Sequence, residues 1–273
     1  MLCTALIAIS TSTTPPSQMG WWVSDAVRAY GGPGFVVAWC AWVVVSICLH
    51  ELAHGYAAIR LGDDTPIRTG HMTWNPIVHM GMTSLILFAA VGIAFGAMPV
   101  DTSRLRGRYG ETIVAAAGPA MNLLLALLCV VVIGVTGALA RADRLADPTA
   151  KSILLFFLAG GSLNVALLFY NLLPIPPLDG WRIAGGFYRP MREWGRGPNA
   201  LLGALTAFFL VSMVLGGRLF EWSNDAVIWG AKPVMSVVEK MIGPGEAEGF
   251  PASQRIIAPT PSGRVPERED GVE

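Results

Sequence analysis

Five consecutive residues, His50-Glu51-Leu52-Ala53-His54, concentrate more chemistry than any other stretch of this chain. Their i and i+4 spacing stacks the two imidazoles on one face of a helix, where they can share a Zn2+ at about 2.0–2.1 Å with the intervening glutamate beside it as general base. The motif lies inside an apolar run, where a charged side chain costs about 2.5–3.5 kcal/mol on insertion scales and so has a functional reason to be present. On this pattern alone three readings stand: a catalytic zinc site, a proton or metal-ion relay in a transporter, and a polar cluster that binds helices together. A catalytic zinc takes three protein ligands and keeps one position open. Nearly all other carboxylates fall in loops or in the tail, and Asp179 stands apart because it follows an apolar span and the proline-broken stretch Pro174-Ile175-Pro176-Pro177-Leu178. The competing reading of Asp179-Gly180 is a turn at the membrane surface.

The elements that must position these residues are apolar helices. The chain has 273 residues, 53% hydrophobic and 14% charged, against roughly 25% charged in an average soluble domain. Its 19 basic and 19 acidic residues cancel, which leaves no basic surface for nucleic acid. Cys3, Cys40, Cys48 and Cys129 form no CxxC pair and read as small apolar residues. Gly34 to Ile59 makes about 39 Å of helix, enough to cross a hydrocarbon core of about 30 Å. Glu111 to Ala140, with Gly118-Pro119 in its first third, and Ser152 to Leu173 are further spans, and Leu201 to Leu215 is a shorter fourth. Residues 83–98 are apolar but short, contain Gly92 and Gly96 and stop at Pro99, so this segment dips into the membrane without crossing it. The expectation is an all-α polytopic membrane protein with four to five transmembrane helices and one re-entrant segment. Its parts are an N-terminal segment (1–33), a membrane-embedded catalytic domain (34–218), an interfacial helix (219–242) and a disordered tail (243–273). Met1 to Ile9 lacks a basic region before it and reads as a loose terminus rather than a signal peptide.

Four stretches, HELAHGYAAIRLGD, GHMTWNPIVHMG, AAAGPAMNLLLAL and FYNLLPIPPLDG, in this order and spacing, resemble the site-2 protease family of intramembrane zinc metallopeptidases (peptidase family M50), in its compact bacterial form without PDZ or CBS domain. The resemblance runs from about Val43 to Trp181, and HExxH together with NxxPxPxLDG is far more specific than either motif alone. It implies a zinc-dependent endopeptidase that cleaves transmembrane segments, with His50, His54 and Asp179 binding one Zn2+ per chain and Glu51 activating the attacking water. It also implies supporting or substrate-binding roles for Asn122 and Asn171. The chain departs from compact relatives at Gly81, where they often carry Asp, and over Phe95 to Val100, which lacks their Trp and Lys. His71 and His79 are left as loop-packing histidines.

Ligand geometry also sets the topology. His50 and His54 lie toward the end of the first span and Asp179 follows the end of the Ser152–Leu173 span, so a shared metal requires these helices to run in the same direction. One crossing, Glu111 to Ala140, then separates them. On the side where the first span ends fall Arg60, Arg68, Arg104, Arg106, Arg108, Arg182, Arg189, Arg192 and Arg196; Arg28, Arg141, Arg144 and Lys151 fall opposite. The arginine-rich side is the cytoplasmic one, which puts the site in the cytoplasmic half of the cell membrane. The substrate is then a transmembrane segment of another protein. Gating falls to the re-entrant segment, the C-terminal helix, or a partner chain or second copy. The rival functions are a transporter relay and a zinc-binding scaffold; retention of Glu51 speaks against a scaffold, since a structural zinc site needs no base.

Overall fold

The computed structural model describes residues 23, 32–92, 94–188, 190–191 and 200–242. The rest of the N-terminal segment, the tail 243–273, and Cys3, Arg28, Arg189, Arg192 and Arg196 lie outside the described residues. Helix α1 (Pro33–Arg60) begins with a proline in its first turn, where the missing N–H costs nothing, and is 28 residues long. A one-turn helix α2 (Thr65–Arg68) follows, then α3 (Pro76–Val91), α4 (Gly110–Arg141), α5 (Asp147–Leu172), α6 (Asp179–Phe187) and α7 (Ala200–Ile242). Among the described residues α1, α4 and α5 are long and apolar enough to cross a membrane, within a residue or two of the expected spans except at the start of α5. Polar side chains join an apolar core that includes Trp39, Val43, Cys129 and Leu163, and many other apolar side chains face outward. Ser46, Asn122, Ser162 and Asn164 are fully buried, while Val37, Leu124, Leu127 and Phe169 on the same helices are exposed. Buried polar groups beneath an apolar outer surface suit a lipid surround, where only internal partners can satisfy polar groups. The chain is a polytopic, all-helical membrane protein.

The segment between α1 and α4 doubles back on itself. α3 starts earlier than the apolar run suggested, because the Asn75 side chain caps it by accepting the Ile77 N–H at 3.0 Å and Pro76 opens its first turn. Its 16 residues reach only about 24 Å, and Gly81 (φ 69°) kinks them. After a left-handed Gly92, residues 94–101 are extended and return along the helix. Ser84 Oγ donates to the Phe95 carbonyl (2.7 Å) and accepts its N–H (2.8 Å), and the Ala97 N–H bonds the His79 carbonyl (2.9 Å). The Arg106 N–H then meets the Leu61 carbonyl at 2.8 Å, so the end of α1 and the approach to α4 share one side of the bundle, as the ligand argument required.

At the C-terminal end the structure differs from expectation. The boundary placed between 218 and 219 falls inside one continuous helix, α7. Its second half is packed on the bundle, with Phe220, Ser223, Val227 and Ala231 buried and Trp39 edge-on to Phe220 at 5.6 Å. These four positions make one helical stripe, and Trp222, Trp229 and Met241 stand exposed on other faces. Trp222, Trp229, Lys232 and Lys240 thus occupy the outer faces of a helix whose inner stripe belongs to the core.

Candidate metal centre

α1 carries His50, Glu51 and His54 on its buried side, all less than 9% exposed. Asp179 arrives from beyond α5. That helix stops before a proline-rich turn closed by the Leu178 N–H on the Ile175 carbonyl (2.9 Å), and α6 starts with Asp179 itself. Gly180 lies directly on the last carbonyls of α5, where a Cβ would come within 2.5 Å of the Leu173 oxygen and closer still to that of Leu172. Only glycine lets α6 start there and aim Asp179 back into the bundle.

The three side chains converge. His50 Nε2 lies 3.0 Å from His54 Nε2 and 3.1 Å from Asp179 Oδ2, and His54 Nε2 lies 3.4 Å from the same oxygen. Each imidazole turns its other nitrogen to an acceptor: His50 Nδ1 donates to Asn122 Oδ1 and His54 Nδ1 to the Val114 carbonyl, both at 2.7 Å. With Nδ1 protonated in each neutral ring, both Nε2 atoms present lone pairs. Two nitrogen lone pairs and a carboxylate oxygen then face one another across a buried space, an arrangement that repels itself unless a cation lies between them. Ligands about 2.0–2.1 Å from a tetrahedral metal lie about 3.3 Å apart, which matches the observed separations. The donor set, two imidazoles and a carboxylate with room for a fourth position, fits a catalytic zinc. Among the described residues this is the single such group of three or more metal-ligating side chains.

α4 closes the site by having no side chain at Gly118. A Cβ there would lie 2.5 Å from His50 Nε2 and against His54 Nε2, in the space a metal needs. Glu51 borders a cavity of about 250 Å3 lined also by Ser46, the two histidines, Asn171, Asp179 and, from the returning segment, Ala94, Gly96, Ala97, Met98 and Val100. Gly96 permits that extended segment to approach, since a Cβ on it would stand 2.7 Å from Glu51 Oε1. Asn171 is 8% exposed and its amide has no protein partner among the described residues. The structure thus brings together all four principal sequence candidates, Asn122 behind His50 and Asn171 at the cavity wall. His79 lies away from the centre, with Nε2 on the Thr73 carbonyl (2.6 Å), and His71 bonds back to Thr69. Sequence reading missed Gly118, the Val114 carbonyl and Asn164, which accepts from Asn122. For Asn164 the available signal was an amide in an otherwise apolar span.

A second buried aspartate ties the neighbouring loops. Asp63 Oδ1 accepts from the Thr65 N–H (2.9 Å) and hydroxyl (2.5 Å), and Oδ2 accepts from the Asp101 N–H (2.8 Å). Burial pushes its carboxyl up, but these donors and the nearby Arg104 charge outweigh burial and hold it below the usual range. Arg104 also bridges Asp64 at 2.7 Å and Asp101 at 3.3 Å.

Membrane-length helices around a buried two-histidine, one-aspartate centre define a membrane-embedded metalloenzyme. The signature described as "Peptidase family M50" matches residues 38–215, and the chain belongs to that family. It is 30% identical over 224 residues to a protein of Mycolicibacterium smegmatis named "Putative zinc metalloprotease Rip2", covering 80% of this chain and 82% of that one. The same name is carried by a Mycobacterium tuberculosis protein, 30% identical over 229 residues with the same coverage. A Bacillus subtilis protein named "Putative zinc metalloprotease YwhC" is 37% identical over 144 residues, 52% of this chain and 64% of that relative, just under two thirds of its length. No solved structure matches the chain. By family it is a zinc metallopeptidase of the membrane, and zinc is its cofactor.

Proposed function

We propose that this protein is an endopeptidase that cuts transmembrane segments of other proteins inside the cell membrane, with residues 34–218 as the catalytic unit. The observation that carries the reading is the buried convergence of His50 Nε2, His54 Nε2 and Asp179 Oδ2 beside a cavity that Glu51 borders. In this reading those three atoms would hold the zinc, which would supply a Lewis acid and lower the pKa of water toward about 7. Glu51 takes the proton from the attacking water on its carboxylate and returns it to the departing amide nitrogen. Asn171 donates from its free amide to the oxygen of the peptide being cut. Asn122 holds the His50 ring in place from behind.

A helical substrate hides its carbonyls within its own hydrogen-bond ladder, so the segment must unwind to enter. Gly, Pro or polar residues in the substrate span favour that step. The basic residues at the ligand-bearing end, Arg60, Arg68, Arg104, Arg106, Arg108 and Arg182 among them, support a cytoplasmic location for the site, and a cytoplasmic reporter signal from the α4–α5 loop would refute it. Glu51→Gln tests the chemistry. Cleavage of a reconstituted substrate should fall by about 10²- to 10⁴-fold with zinc retained, while unchanged cleavage would remove Glu51 as the base, and only a wild-type protein that never cleaves would return weight to a relay or scaffold.

A further inference from the structure

Asn164 is fully buried in the middle of α5, and none of the chemistry above uses it. Its hydrogen bonds nevertheless lead to the metal centre in one direction. Asn164 Nδ2 donates to the Gly160 carbonyl one turn earlier and to Ser46 Oγ of α1, both at 2.9 Å. Asn164 Oδ1 accepts from Asn122 Nδ2 of α4 at 3.0 Å. Asn122 Oδ1 in turn accepts from His50 Nδ1 at 2.7 Å. Ser46, Asn122 and Asn164 are each fully buried.

The sense of every bond follows from its first link. A backbone carbonyl can only accept, so the atom of Asn164 that faces Gly160 is its nitrogen and its oxygen faces α4. That oxygen admits only the nitrogen of Asn122, which turns Asn122 Oδ1 toward His50. An acceptor at Nδ1 keeps the ring proton there and leaves the lone pair on Nε2, 3.1 Å from Asp179 Oδ2. With either amide reversed, the preferred His50 tautomer would present an N–H to the centre. His54 needs no such chain, because the Val114 carbonyl meets its Nδ1 directly.

We propose that Asn164 is a positioning residue of the metal centre, which acts through Asn122 to fix the tautomer of His50 and thereby aim Nε2 at the zinc. The inference rests on the assignment of His50 as a ligand. It is tested on the full chain in detergent by measuring zinc affinity in competition with a chromophoric chelator. The variants are His50→Ala, Asn122→Leu, Asn164→Leu and the double variant Asn122→Leu/Asn164→Leu. Asn164→Leu is expected to weaken zinc binding about 10- to 100-fold, as loss of partners behind metal ligands generally does. In the Asn122→Leu background the same change should cost less than about twofold, because the only route to His50 is already cut. A residue that served packing alone would lower thermal stability in both backgrounds without this dependence. Zinc affinity within about twofold of wild type in Asn164→Leu, or an equal loss in both backgrounds, overturns the proposal. Unchanged zinc binding in His50→Ala overturns the ligand assignment itself and so tells the two failures apart. If Asn164→Leu does not fold, Asn164→Ser, which is small and too short to reach Asn122, is read by the same criteria.

Discussion

Asp63, in the link between α1 and α2, and Asp179, at the start of α6, are the same residue type and both almost wholly buried, yet they do opposite things. The Asp63 carboxylate is surrounded by donors, two from Thr65 and one from the Asp101 backbone, and is satisfied by the protein alone. The Asp179 carboxylate looks at two imidazole nitrogens whose protons have been drawn to the far side of each ring by Asn122 and Val114. One aspartate closes a loop and the other opens a binding site. Neither burial nor residue type separates them; the sense of the hydrogen-bonding atoms around each does.

This contrast breaks most sharply under substitution of the second aspartate. Asp179→Ala should take zinc from about one per chain to near none and abolish cleavage, read by metal analysis of detergent-purified protein; full zinc retention would detach Asp179 from the centre. Gly118→Ala should lose zinc almost as completely, because its Cβ would take up space between the two Nε2 atoms. Asp63→Ala should keep zinc but lower stability by about 1–3 kcal/mol, since buried donors lose their acceptor. Thermal unfolding checks that value, and zinc loss without destabilisation would merge the two regions. The smallest effect is in acid. The folded Asp63 carboxyl lies below its unfolded value of about 3.9, so its stabilisation is complete above that value and is lost as the pH falls through the folded one. Asp63→Asn should therefore flatten the decline of stability below about pH 4, and an unchanged slope would assign that decline to other groups.

The centre was legible in the chain because its parts obey spacing rules. His50 and His54 fall one helical turn apart with Glu51 between them, and the proline run before Asp179 marks a forced break. The need for those ligands to meet also calls for the segment between α1 and α4 to return to the end of α1, and the Arg106 N–H on the Leu61 carbonyl brings it back there. What spacing could not convey is contact between distant helices. Asn164 and Ser46 are neighbours only because α1 and α5 lie side by side, and neither belongs to a periodic pattern. The start of α3 was legible in Asn75-Pro76, a cap followed by a first-turn proline, but the apolar run beginning later drew the boundary. The continuity of α7 was hidden for a different reason. Its outer faces carry tryptophan and lysine, and its inner stripe of Phe220, Ser223, Val227 and Ala231 gains meaning only against the helices it covers.

The order in which the ligands occur along the chain carries a further consequence. His50 and His54 belong to the first span, whereas Asp179 lies beyond the third, delivered by a turn that rests on the finished end of α5. A growing chain therefore makes two imidazoles and Glu51 long before the carboxylate that completes the candidate centre. Until α6 is made the chain holds only two of the three candidate ligands, so a chain that stalls before α6 has an incomplete centre.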